Sequence, residues 1–323
     1  MKCTNKRKIL LWGLLAVLLL SGCGNTSVSL YSSNYVYEVD NKVNDESFAA
    51  DSFVGSNVCV AIPDLGTDQT NSSVASAAGV FNCNTNKTLY SQNLLGQVHP
   101  ASTTKILTAY IILRDCELNE EVTVSESVTN LDKDSSLCYI EPGDKLTVQD
   151  LLYGLLLNSG NDAAIALAEH HSHSIDSFAE EMNKTAKNLG ATKSKFVNPH
   201  GLDDENHYVT LFDMYLIFNE AIKNEVFVKI ISTLNYDAEF ISGAGIAKNA
   251  TWSNTNRYLT GKAKSPNGIT VIGGKTGTTF QSGYCLVLLS ENEKKERIIS
   301  IVYKADSSWN LYLLMNQILV FAN

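Results

Sequence analysis

Apolar and polar positions divide the chain into stretches of different character. Residues 9–20 form an unbroken apolar run behind Lys2, Lys6, Arg7 and Lys8. About a dozen apolar residues after a basic start is the length of a signal-peptide core, and too short for a comfortable membrane span. Residues 23–55 are rich in Ser, Asn, Asp and Val without sustained periodicity, which reads as a flexible tether. From residue 56 to 323 the pattern is that of one folded domain. Short apolar strands are expected at 76–81 and 88–90, joined by the turn formers Asn82-Cys83-Asn84-Thr85-Asn86. A second group at 269–274, 284–290 and 298–304 is β-branched or aromatic-rich, as in an antiparallel meander. Between the groups, 103–113, 148–157, 163–170, 175–189 and 211–223 carry apolar residues at helical spacing, and a last helix is expected at 308–321. Ile106, Leu107, Ile111, Ile112 and Leu113 leave the first helix little polar face, so it belongs in the domain centre. The fold class is α/β in the α+β sense: a five-stranded antiparallel sheet drawn from both ends of the domain, with helices against it.

Composition changes this picture little. The 323 residues are 44% hydrophobic and 18% charged, which fits neither a disordered chain nor a many-pass membrane protein. Twenty-five basic against 34 acidic residues, a net charge of −9, argue against nucleic acid as a partner. The apolar run ends in Leu20-Ser21-Gly22-Cys23, which resembles a bacterial lipobox. That resemblance implies removal of residues 1–22 and lipidation of Cys23, hence an extracytoplasmic protein held at the cell membrane by its lipid. An ordinary signal peptide with an incidental Cys23 is the alternative. Losing residues 1–22 removes four positive charges and no negative ones, taking the net charge to −13, so the body would not lie flat on anionic lipid. Cys59, Cys83, Cys116, Cys138 and Cys285 remain; they show no CxxC or metal-like spacing, and buried thiols with at most two bridges are expected.

Three polar constellations stand out. Ser102-Thr103-Thr104-Lys105 follows His99-Pro100-Ala101, and proline near a first turn marks a helix start. Residues three apart share a helix face, so the Lys105 amine can reach the Ser102 hydroxyl. Burial and the positive helix end favour a neutral amine able to take its proton, which makes Ser102 an activated nucleophile. By itself such a pair is more often a capping serine beside a surface lysine. The second, Ser159-Gly160-Asn161, lies between Leu155-Leu156-Leu157 and a small-residue helix from Ala163. A hydroxyl there can pass a proton to a leaving amine, and the Asn161 amide can bind a substrate carbonyl and hold Lys105. In the third, Lys275-Thr276-Gly277 at the end of the strand from Ile269, a cation and a hydroxyl can take a carboxylate. Gly277 there would let an extended substrate lie along the strand edge.

SxxK, SxN and KTG in this order resemble the penicillin-binding protein and serine β-lactamase superfamily. The stretches Glu141-Pro142-Gly143-Asp144-Lys145-Leu146-Thr147, LLYGLLLNSGNDAAIALAEH, FVNPHGLDDENHYVT and GGKTGTT with SGYCLV are similar to low-molecular-mass D-alanyl-D-alanine carboxypeptidases, over roughly residues 73–305. The resemblance implies the transpeptidase-like fold with a helical subdomain. It implies Ser102 as the acylated nucleophile, Lys105 as its base, Ser159 as proton relay and Asn161 as orienting residue. Lys275, Thr276, Gly277 and Thr278 would line the substrate, with backbone N–H groups of Ser102 and Thr278 as oxyanion hole. Peptidoglycan stem peptide would lose its terminal D-Ala, β-lactams would acylate Ser102, and no metal or other cofactor is implied. Many such enzymes continue into a β-rich second domain and an amphipathic anchor, whereas this sequence stops soon after the last helix; the Cys23 lipid would replace that anchor.

Other readings stay open at this point. The same motifs serve DD-endopeptidases, transpeptidases and serine β-lactamases, although no ExxLN follows the SxN motif. A zinc peptidase could draw on Glu169, His170, His171, His173, His200 and His207, but no HExxH or its inverse occurs. A lipoprotein that only binds cell-wall peptide would have the motifs without a correctly placed Lys105.

Overall fold

The computed structural model describes residues 58–131 and 135–323. The expected signal segment, Cys23 and the whole of the tether lie outside the described residues. In chain order the regular elements are β1 (Ala77–Asn82), β2 (Lys87–Gln92), β3 (Gln97–Val98), α1 (Lys105–Asp115), β4 (Glu121–Thr123), β5 (Lys145–Thr147), α2 (Val148–Leu156), α3 (Asn161–Ser172) and α4 (Ile175–Asn188). Then come β6 (Val209–Thr210), α5 (Leu211–Ala221), α6 (Glu225–Ser232), β7 (Asn235–Ile241), β8 (Ala247–Ser253), β9 (Thr270–Thr279), β10 (Gly283–Glu291), β11 (Arg297–Ala305) and α7 (Ser308–Leu319).

Strands from both ends of the domain form one antiparallel sheet in the order β2-β1-β11-β10-β9. The period-2 alternation of a strand sorts its side chains between two cores. Cys285, Val287 and Leu289 with Ile299, Ile301 and Tyr303 face the helical side, together with α1, α2, α3 and α5. Leu286, Leu288, Ile298 and Val302 face Leu311, Leu314, Met315 and Ile318 of α7. Burial on both faces explains why these strands read as nearly continuous apolar runs. Helix α1 is the centre of the larger core, with Ile106, Leu107, Ile111 and Ile112 fully buried.

Helix ends are closed by side chains. Thr147 Oγ1 accepts from Asp150 N at 3.1 Å while Asp150 Oδ2 accepts from Thr147 N at 3.0 Å, a reciprocal pair that starts α2. Thr210 accepts from Asp213 N at 3.0 Å to start α5.

The expected helices and the five strands are found with ends displaced by a few residues. The KTG residues lie inside β9 rather than at its end, because the strand runs on to Thr279. A second antiparallel sheet, β4-β5-β7-β8, was not expected from the sequence. In β7 only Ala238 and Phe240 are buried, and in β8 only Trp252, so counting apolar residues passes both strands by. The usable signal was the alternation Tyr236, Ala238, Phe240 ahead of the Gly-bearing turn Ser242-Gly243-Ala244-Gly245. Tyr236 holds this sheet to α2: its ring stacks on Tyr153 with centroids 3.8 Å apart, and its hydroxyl donates to Asp150 Oδ1 at 2.6 Å. The five cysteines of the described residues are unpaired.

Candidate active site

Ser102 lies in a 3-10 turn, Ala101–Thr104, that runs into α1, so the serine precedes the helix by one turn. The turn is gripped from several sides. Thr103 Oγ1 donates to Pro100 O at 2.7 Å and lies 2.8 Å from the Tyr303 hydroxyl of β11. Thr104 Oγ1 lies 2.9 Å from His207 Nε2, and Thr108 Oγ1 donates to Pro199 O at 2.7 Å. Two glycines let other segments close on it. A Cβ on Gly201, whose φ is +89°, would come within 1.9 Å of Ala101 O. A Cβ on Gly277 would meet Pro100 O and Ser102 N at 3.1 Å. Glycine at 277 therefore lets β9 close against the nucleophile turn.

Lys105 is fully buried, one turn after Ser102. Its Nζ is 3.0 Å from Ser102 Oγ, 2.7 Å from Asn161 Oδ1 and 2.7 Å from the carbonyl oxygen of His200. Burial pushes the amine well below the ordinary lysine range, and the Lys275 charge adds to this, against smaller opposing effects of Cys138 and Asp162. A neutral amine has two N–H bonds and one lone pair. In that form the two carbonyl oxygens would take the N–H bonds and leave the lone pair to the Ser102 hydroxyl.

Ser159 sits between α2 and α3 with φ +62°, a left-handed backbone that a serine seldom takes. Its Oγ accepts from Lys275 Nζ at 2.9 Å, and Lys275 Nζ also donates to Thr276 O at 2.9 Å. Lys275 pairs with Val287 in the β9–β10 register, and so faces the helical side where Ser159 waits. Burial alone pushes its amine down to about 7. Asn161 is the first residue of α3, and its N–H donates to Ser136 O at 2.8 Å.

The predicted residues thus form two directly bonded sets, Ser102–Lys105–Asn161 and Ser159–Lys275. Thr276 and Thr278 belong to neither through their side chains. Thr276 pairs with Leu286 and its hydroxyl bonds Thr255 Oγ1 at 2.5 Å, while the exposed Thr278 donates to Gly277 O at 2.7 Å.

Several residues of the site had no role in the serine-enzyme reading of the sequence. Asp162 Oδ1 accepts from Cys138 N at 2.8 Å and Ala163 N at 2.9 Å, and Oδ2 from Ile140 N at 3.3 Å. Burial raises this carboxyl, the N–H bonds oppose it, and the group ties residues 138–140 to α3 behind Lys105. His207 Nδ1 accepts from Val197 N at 3.2 Å, so Nε2 carries the hydrogen and donates to Thr104; burial pushes the ring down to about 4. Asp203 holds the β9–β10 turn through Thr279 Oγ1 at 2.5 Å and Gln281 N at 3.2 Å. An acidic residue in a first helical turn was visible at Asp162, but nothing local marks Asp203 or His207. The histidines considered for zinc chemistry separate: His200 and His207 stand behind the nucleophile turn, while His170 and His171 bond Glu120 and Asp115 at 2.8 and 3.0 Å. A cavity of about 380 Å³ opens beside the Ser159 turn, lined by Tyr139, Asn158, Phe240, Lys248 and Trp252 among others.

A half-buried serine beside a buried lysine, an SxN turn and a KTG edge strand on this sheet are the motif set of the penicillin-binding protein and serine β-lactamase superfamily. Residues 66–307 match the family model described as D-alanyl-D-alanine carboxypeptidase, peptidase S11, and the chain belongs to that family. It is 33% identical over 260 residues to the D-alanyl-D-alanine carboxypeptidase DacF of Bacillus subtilis (strain 168), covering 77% of this chain and 62% of that protein. It is 32% identical over 248 residues to the D-alanyl-D-alanine carboxypeptidase of Streptomyces sp. (strain K15), covering 73% of this chain and 83% of that protein. Against DacC of Escherichia coli (strain K12) it is 34% identical, covering 68% of this chain and 54% of that protein. The chain thus spans only part of the length of these relatives. The crystal structure of the Streptomyces K15 DD-transpeptidase superposes with a TM-score of 0.71 at 30% identity, over 77% of this chain and 97% of that one.

Proposed function

We propose that the protein is a serine-type D-alanyl-D-alanine carboxypeptidase that trims the last D-Ala from peptidoglycan stem pentapeptides. The observation that carries this is the buried Lys105 Nζ, 3.0 Å from Ser102 Oγ and held at 2.7 Å by Asn161 Oδ1 and the His200 carbonyl. The Ser102 proton passes to Lys105 Nζ as Oγ attacks the carbonyl of the penultimate D-Ala. The peptide C–N bond then breaks, and the leaving amine takes a proton by way of Ser159. Lys275 supplies the cation for the terminal carboxylate, and Thr276 joins it by turning from Thr255. The Ser102 and Thr278 N–H groups bear the oxyanion, a role worth ~10²–10³ in rate per donor. Water resolves the acyl-enzyme. The cavity beside Asn158 gives the upstream stem residues a place.

Penicillin, which mimics the dipeptide, acylates Ser102 in the same way. Among the described residues no helix is long and apolar enough to cross a membrane. Cleavage after residue 22 and lipid on Cys23, followed by the tether, would hold the catalytic domain outside the cytoplasm at the membrane surface.

The test uses the full chain in detergent with a stem pentapeptide, following free D-Ala and protein mass with and without penicillin. Release of one D-Ala, blocked when penicillin adds its mass to Ser102, is the expected result. A penicillin adduct without D-Ala release would move the reading to transpeptidase or endopeptidase chemistry, toward which the name of the Streptomyces K15 structure points. Neither signal would leave a protein that only binds cell-wall peptide. Release of the protein from membranes by Cys23→Ala tests the anchor.

A further inference from the structure

The far end of α1 carries a second cluster of reactive side chains. It lies eleven residues from Lys105, roughly 16 Å along the helix at ~1.5 Å per residue. Cys116 follows the last residue of α1, Glu120 closes the next turn, and His170 stands in the last turn of α3. One donor atom from each of the three lies within 4.8 Å of the others. The closest pair is His170 Nε2 and Glu120 Oε2 at 2.8 Å.

We propose that Cys116, Glu120 and His170 bind a divalent cation of the zinc type, as a structural site that joins the ends of α1 and α3.

A sulfur, an imidazole nitrogen and a carboxylate oxygen are the donor set that zinc takes, whereas magnesium and calcium want oxygen alone. Bond lengths of ~2.0–2.3 Å place tetrahedral ligand atoms about 3.3–3.8 Å apart, so shifts of about 1 Å at the side-chain ends close the set around an ion. Two further features favour a cation here. The cluster lies at the C-terminal ends of α1 and α3, where helix dipoles favour a cation. The second oxygen of Glu120 is fixed by the Glu117 N–H at 2.6 Å, which aims Oε2 at His170, as outer partners aim ligands in metal sites. On binding, the Cys116 S–H proton leaves to solvent and a sulfur–metal bond replaces it; water fills the fourth position. No oxidant or reductant is needed, and the site does not depend on the carboxypeptidase reading.

The test titrates the chelator-stripped full chain in detergent with Co²⁺, whose thiolate charge-transfer absorption reports a bound cysteine, and then with Zn²⁺ as competitor. One equivalent of Co²⁺ with a thiolate band, displaced by Zn²⁺, is expected. Cys116→Ser should abolish the band, and His170→Gln and Glu120→Gln should each weaken Zn²⁺ binding by roughly 10-fold or more. Penicillin labelling of Ser102 in each variant serves as the check of folding, because none of the three residues touches the nucleophile. If a variant does not fold, the remaining two decide the outcome. Absence of a thiolate band in the wild type, or a band that survives Cys116→Ser, overturns the proposal.

Discussion

Lys105 on the nucleophile turn and Lys275 on β9 are both fully buried amines, yet their surroundings give them opposite work. Lys105 is held by two carbonyls and faces a second cation, so burial and the Lys275 charge both oppose its protonation. Lys275 is opposed by burial alone and holds one hydroxyl and one carbonyl. The first is a base that stays neutral; the second lacks only an anion, and an arriving carboxylate makes its charged form the stable one. Burial alone therefore does not make a catalytic base. At Lys105 the neighbouring Lys275 charge adds to burial in favouring the neutral amine.

The sharpest way to break this contrast is Lys105→Ala, which should slow penicillin acylation of Ser102 by ~10²–10⁴, read by stopped-flow or quenched mass measurement. Normal acylation would remove Lys105 as the base. Lys275→Ala should act on substrate choice. A charge-assisted bond of about 1.5–3 kcal/mol predicts a ~10–100-fold fall in kcat/KM for the peptide acid, with little change for its C-terminal amide. Equal losses for both substrates would show that Lys275 does not hold the carboxylate.

The two amines should also leave opposite limbs in the pH profile. Lysine is cationic below its pKa, so activity that needs neutral Lys105 is lost as pH falls. Carboxylate capture that needs cationic Lys275 weakens as pH rises through about 7 in kcat/KM, and at higher pH in kcat once substrate is bound. A profile whose alkaline limb is unmoved by Lys275→Ala would refute the assignment.

Stability offers a smaller handle on the same turn. Burial holds His207 neutral, pushing it down to about 4 from the ordinary histidine value of 6.5. Between these values the unfolded chain takes up a proton that the folded chain refuses. Stability should fall with pH across that window, by up to about 3 kcal/mol at its acid end. His207→Gln should flatten the melting temperature against pH. The smallest effect is expected at Lys145, which pairs with Glu121 at 2.8 Å but is about half exposed. Lys145→Ala should change stability by less than ~1 kcal/mol and activity not at all, setting the scale for a lysine without burial.

The parts legible in the sequence share a property: neighbours along the chain create them. Ser102 and Lys105 meet because three residues make one helical turn, and the central strands declare themselves because burial on both faces leaves them apolar throughout. The sheet carrying β7 and β8 stayed hidden because it buries only three side chains in those strands, too few to rise above the polar background. The contacts of Asp203 and His207 stayed hidden for another reason. Asp203 reaches across 76 residues to Thr279 and His207 across 103 to Thr104, and no local spacing records such contacts.

By itself, then, the sequence determined the class of fold, the family and the identity of the motif residues, since these depend on periodicity and on short spacings. The tertiary structure alone decided which of them touch. It gave Lys105 its two carbonyls, set Lys275 against Ser159 rather than beside the Thr276 hydroxyl, and assigned Gly277 to the contact between β9 and the nucleophile turn. Burial, hydrogen-bond partners and the charge state of an amine are properties of the assembled interior, where chain-distant atoms replace water.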